Sequence, residues 1–100
     1  MSKVVVIFEQ AGMSHNDYDA ICHELMAQGS LYNANRLAHV AFERDNKFCV
    51  IDVWNSEEAL KEFADKSLMP AFLKAGITPQ RPLVVPAHNW VGIAEELTSA

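Results

Sequence analysis

LAHVAFERDNKFCVIDVWNSEEALKEFADK, residues 37–66, is the stretch that decides the fold. Two strand-like runs, 37–44 and 47–54, flank Asp45-Asn46, a dipeptide that tolerates positive φ and suits a tight hairpin turn. Asn55 or Ser56 then caps a helix. Glu57 and Glu58 favour the positive end of that helix, and Ala59, Leu60, Phe63 and Ala64 form its apolar stripe.

A turn at Asp45-Asn46 sets the pairing. Arg44 faces Lys47, Phe42 faces Cys49, Val40 faces Ile51 and His39 faces Asp52. Alternation sorts the side chains onto two faces. One carries Ala38, Val40, Phe42, Cys49, Ile51 and Val53. The other carries Leu37, His39, Ala41, Phe48, Val50, Asp52 and Trp54, apolar except for the central pair of His39 and Asp52. Alternation leaves open which face meets the helices.

Outward from the hairpin, residues 3–10 read as a β-branched strand buried on both faces and hence central in its sheet. Ser14 with Asp17 matches a capping box. Tyr18, Ile21, Cys22, Leu25 and Met26 then recur at helical spacing up to Gly29, which suits a left-handed C-terminal cap. This predicts a helix over about 15–28. After the residue 57 helix, Pro70 suits the first turn of a short further helix over 70–75, which Gly76 closes. Leu83 to Asn89 reads as a last strand, and Pro86, with no N–H to donate, puts it at a sheet edge. The order β-α-β-β-α-β predicts a ferredoxin-like α+β fold, an antiparallel sheet with helices on one face. Both residue sets of the strands are largely apolar, so the uncovered face predicts a homodimer.

Composition bounds the rest. One hundred residues, half of them apolar, suit a single domain spanning 1–100 with a core that needs no metal or disulfide. Thirteen acidic against eight basic residues give a formal charge of −5, which excludes the basic face that nucleic acid or anionic lipid requires. Cys22 and Cys49 lie in apolar periodic segments without metal spacing and read as small buried hydrophobes of a reducing compartment. The apolar run Val4–Phe8 is too short for a signal-peptide core or a membrane span, so the expected location is the cytoplasm. His15, His23, His39 and His88 match no zinc spacing, and no glycine-rich phosphate cradle occurs, so no metal and no nucleotide cofactor is expected.

The chemistry concentrates on the hairpin. Opposed residues place their Cβ atoms about 4.5–5.5 Å apart, within reach of an imidazole–carboxylate hydrogen bond. A carboxylate fixes an imidazole's tautomer, the arrangement a general base needs to take a proton from a phenol or enol. His39 and Asp52 are therefore the candidate catalytic pair, with a purely structural hydrogen bond as the alternative. Trp54, Tyr18, Phe63 and His88 are candidate ligand-binding residues. Trp54 ends the strand where an indole can line a pocket mouth or anchor the core, and Tyr18 stands in the first turn of its helix. His88 leaves the edge strand beside Asn89 and Trp90.

The run from Phe48 through Trp54, Ser56, Glu57 and Glu58 to Phe63 resembles the antibiotic biosynthesis monooxygenase-like proteins of the dimeric α+β barrel superfamily, whose members share a strand ending in Trp, Ser and acidic caps, and an aromatic on the helix. The similarity in order of elements covers about residues 3–90. It implies a homodimer of two packed four-stranded sheets, with one pocket per subunit between sheet and helices for a small apolar or aromatic ligand. Cofactor-independent oxygenases of quinol-like molecules are among its members. So are haem-degrading enzymes, but their pattern of an Asn in the first strand, a Trp on the second helix and a His ten residues later is absent here: Phe63 and Leu73 stand at the latter two positions. Three functions stay open: a cofactor-independent monooxygenase, a non-catalytic ligand-binding module, and a structural dimerisation module.

Overall fold

A computed structural model describes residues 2–92. The end of the expected domain, 93–100, lies outside the described residues. In chain order the elements are β1 (Val4–Ala11), α1 (His15–Ala27), β2 (Arg36–Arg44), β3 (Lys47–Trp54), α2 (Glu57–Phe63), a π-helical turn (Ala64–Leu68), α3 (Met69–Ala75) and β4 (Leu83–Pro86). The four strands form one sheet in the order β2-β3-β1-β4, with every neighbouring pair antiparallel. This is the ferredoxin-like arrangement.

Local chemistry accounts for most boundaries. The Ser14 hydroxyl accepts the Asp17 N–H at 3.2 Å while the Asp17 carboxylate accepts the Ser14 N–H at 3.0 Å, a complete capping box. Gly29, just past the end of α1, takes φ 73°, and Gly76 caps α3 at φ 75°. Ser56 rather than Asn55 caps α2, accepting the Ala59 N–H at 3.1 Å. Asp45 and Asn46 both take positive φ, 51° and 62°, so the hairpin turns in the tight two-residue form that matches strand twist.

Three expectations change. Residues 57–75 are one continuous helical run rather than two helices, because a wide turn precedes Pro70: the Met69 N–H bonds the Ala64 carbonyl, five residues back. A proline ring collides with the carbonyl four residues before it, and a widened turn gives that carbonyl room. β4 ends at Pro86, not Asn89, although it is the predicted edge strand; beyond it only the Ala87 N–H bonds Lys3, at 2.9 Å. β1 is central, but in this chain only one of its faces is buried: Val4, Val6 and Gln10 are covered while Ile7 is exposed.

The helices cover the face bearing Phe48, Asp52 and Trp54. Val4 and Val6 of β1 join Met13, Ile21, Leu25, Phe48, Trp54, Phe63, Ala71 and Phe72 in one core. Trp54, with no exposed surface, lies 5.2 Å from Phe63 between ring centroids, and Phe8 meets Phe72 edge-on at 6.1 Å. Buried Gln10 clamps the segment leading into β4, donating to the Thr78 carbonyl at 3.0 Å and accepting the Gln80 N–H at 2.9 Å. The opposite sheet face, with Ile7, Val40, Phe42, Ile51 and Leu83, is apolar and exposed. No helix among the described residues is long and apolar enough to cross a membrane.

Candidate functional site

The hairpin register is the predicted one from Arg44↔Lys47 through Phe42↔Cys49, Val40↔Ile51 and His39↔Asp52 to Ala38↔Val53. His39 and Asp52 therefore stand opposite each other on the helix-facing side, and they touch: His39 Nδ1 lies 2.5 Å from Asp52 Oδ1. A carboxylate only accepts, so Nδ1 carries a proton; in the neutral tautomer with that proton on Nδ1, Nε2 offers its lone pair.

That lone pair has a partner. The Tyr18 hydroxyl, projecting from the first turn of α1, lies 2.5 Å from His39 Nε2 and donates to it. The Tyr18 ring stacks on Phe48 at 4.8 Å and lies nearly parallel to the imidazole at 6.0 Å, so two aromatic contacts fix the hydroxyl's position. Asp52 Oδ2 accepts the Trp54 indole N–H at 3.3 Å. A continuous hydrogen-bonded chain thus runs from Tyr18 through His39 and Asp52 to Trp54. Its inner end is sealed by fully buried Trp54, whereas the His39 side chain keeps 27% of its surface exposed and Asp52 only 12%. Burial pushes the Tyr18 phenol well above its ordinary range, with the neighbouring Cys22 thiol adding to the shift and the charge of Arg36 opposing it. Tyr18 is accordingly a donor, not a phenolate, at neutral pH.

The remaining expected site residues divide. Trp54 touches Asp52 from within the core and has no exposed surface. Phe63 is buried too, but its edge forms part of an open groove of about 500 Å³ between the 29–35 loop and the α2–π-turn segment. Tyr18, His39 and Asp52 do not line that groove. His88 is exposed just past β4, three strands away from β2 across the sheet, so the fold does not bring it to His39. Cys49 is buried, whereas Cys22 is only half-buried and close to Tyr18. Among the described residues no three His, Cys, Asp or Glu side chains are grouped to hold a metal ion.

One residue escaped the alternation. A β-bulge between Arg36 and Ala38 makes Arg36, not Leu37, the partner of Trp54. The guanidinium carbon sits 5.5 Å from the Phe63 ring and 6.0 Å from the Trp54 ring, and Nη2 donates to the Leu31 carbonyl at 2.8 Å. Nothing in the hydrophobic pattern marks a bulge, since an apolar Leu37 suits either face.

No protein-family model matches the sequence, and no curated protein matches it. Solved structures do. A Nitrosomonas europaea protein of unknown function superposes with a TM-score of 0.65 at 16% identity, over 94% of this chain and 97% of that one. A candidate antibiotic biosynthesis monooxygenase from Chloroflexus aurantiacus gives 0.63 at 16% identity, over 93% and 100%. SnoaB, a cofactor-independent oxygenase from Streptomyces nogalater, gives 0.57 at 12% identity, over 94% and 99%. At these identities the likeness speaks for the backbone arrangement, and with the sheet order and helix placement above it shows that this chain has the fold of the antibiotic biosynthesis monooxygenase-like proteins.

Proposed function

We propose that this protein is a cofactor-independent monooxygenase of a small aromatic, quinol-like molecule, with His39 as general base and Asp52 as the group that orients it. The observation that supports the reading is the continuous Tyr18–His39–Asp52–Trp54 hydrogen-bonded chain on the helix-facing side of the sheet. Asp52, itself held by the Trp54 N–H, keeps the proton on Nδ1 and the lone pair on Nε2. A phenolic substrate transfers its proton to Nε2 either by displacing the Tyr18 hydroxyl or through it. The resulting phenolate is electron-rich enough to reduce dioxygen directly. At a ring CH2 activated in this way, one oxygen atom becomes the product carbonyl. The other leaves as water with the two CH2 hydrogens, so atoms and electrons balance without a further reductant.

The active unit in this reading is a homodimer, with a second copy covering Ile7, Val40, Phe42, Ile51 and Leu83. The fold neighbour described as a cofactor-independent oxygenase lends support at the level of fold alone. The test is turnover of a panel of quinols and anthrones under air, wild type against His39→Ala. The expected result is a loss of kcat of at least about a hundredfold, the usual range for removing a positioned base. Equal turnover by both proteins removes His39 from the reaction.

A non-catalytic binding module is the second reading, favoured by the Tyr18 hydroxyl that already occupies His39 Nε2. Under it, ligands from the same panel raise the melting temperature and are recovered unchanged.

A further inference from the structure

The bulge at Leu37 determines where Arg36 stands. Had the pairing continued unbroken, Arg36 would lie with Ala38 and Val40 on the exposed sheet face; the extra residue sets it opposite Trp54 on the helix side instead. There Arg36 is half-buried, its guanidinium carbon within 6.0 Å of the Phe63 and Trp54 ring centroids, and Nη2 donates to the Leu31 carbonyl. Among the described residues no carboxylate comes within 4 Å of it. A partly desolvated cation gains from an anionic partner, and a guanidinium held by one carbonyl beside two rings keeps donors free for a carboxylate or phenolate.

Two further facts concern what that partner is. Phe63, whose ring centroid is 5.5 Å from the Arg36 guanidinium carbon, and Asn35, the chain neighbour of Arg36, both line the open groove of about 500 Å³ beside α2; Arg36 stands behind them and is not itself part of the lining. The carboxylates on that groove belong to α2. Glu62 is tied to Lys66 at 3.2 Å, and Glu58 is exposed, so solvent screens both more than it screens Arg36. The Arg36 charge also acts on the Tyr18 phenol, favouring its anion, which ties the cation to the hydrogen-bonded chain as well as to the groove.

We infer that Arg36 is an anion-recognition residue, selecting a planar aromatic ligand that carries an oxyanion and seating it in the groove against Phe63. The inference rests on reading this helix-side region as the substrate site, and adds that the substrate is anionic or becomes so on losing its proton.

Binding, not turnover, tests it. Calorimetric titration of the full chain with 1-hydroxy-2-naphthoate and with the neutral 1-hydroxy-2-naphthamide compares two ligands of nearly equal shape. Wild type is expected to prefer the carboxylate by about tenfold or more, the range for a hydrogen bond to a charged group. Arg36→Met, which keeps an apolar chain over the two rings, should bind both alike, with amide affinity near that of wild type. Arg36→Lys, which keeps the charge without the fork, should retain part of the preference and serves should the Met variant not fold. Equal binding of the two ligands by wild type, no binding of either, or a preference that survives both substitutions overturns the inference. Since no step of the assay needs catalysis, a protein that never turns over a quinol but prefers the naphthoate through Arg36 overturns the monooxygenase reading and leaves this one standing.

Discussion

Tyr18 has two roles at one hydroxyl: it closes the lone pair of His39 and it stays protonated. Its pKa is raised in the folded chain by burial, so the native state holds the proton more tightly than the unfolded state does. The associated stability is complete below the ordinary tyrosine value near 10 and is lost as pH rises through the higher native value. Tyr18→Phe keeps the stacking on Phe48 and removes the group that titrates. Urea midpoints at neutral pH should fall by the equivalent of about 0.5–1.5 kcal/mol for the lost hydrogen bond. The decline of the midpoint between pH 10 and 11.5 should be shallower than in wild type. A variant with the wild-type alkaline slope would show that Tyr18 contributes nothing to it. Tyr18 is also the residue whose contact was hardest to read: its apolar neighbours place it on the core stripe of α1, but a hydroxyl reaching a β2 side chain depends on how α1 lies across the sheet.

At the scale of elements, the helix following the hairpin depends on one hydroxyl. Ser56 is nearly buried and accepts the Ala59 N–H, so Ser56→Ala should cost about 1 kcal/mol, read as a lower urea midpoint with an unchanged slope. A cap at Asn55 or Ser56 was legible because small polar residues before Glu57 and Glu58 are a local signal; the structure selects Ser56. The bulge and the π-turn were not. A bulge adds a residue without changing the alternation on either side of it, and a π-turn shifts the helical face by one residue over a single turn. The Pro70 that accounts for the π-turn looks, in sequence, like the start of a new helix. The placement of Arg36 opposite Trp54 therefore depends on a pairing that the alternation does not carry past Ala38.

At the scale of the whole molecule, the exposed apolar face of the sheet calls for a cover. Val40 is 52% exposed and Phe42, Ile51 and Ile7 a little over a third, on adjoining strands. If a second copy covers this face, Ile51→Lys buries a charge in the contact and should convert a dimer into a monomer in sedimentation velocity at about 10 µM, leaving the helix-side core intact. Wild-type protein sedimenting as a monomer at that concentration would remove the dimer from the proposal.

The hairpin shows where sequence alone suffices. Asp45-Asn46 suits a tight two-residue turn, that turn sets the register, and the register places His39 opposite Asp52, because strand pairing propagates residue by residue from its turn. The caps at Ser14, Ser56 and Gly76 and the edge position of β4 are likewise consequences of single residues acting on their own backbone. Only the tertiary structure decided which side of the hairpin the helices cover, and with it whether the pair lies beneath α1 or on the exposed face. Both residue sets are apolar, and period-two alternation is symmetric between them. Packing broke the symmetry: Trp54 and Phe48 on one side met Phe63 and Tyr18 and left His39 and Asp52 in reach of the Tyr18 hydroxyl, while Val40, Phe42 and Ile51 stayed outside.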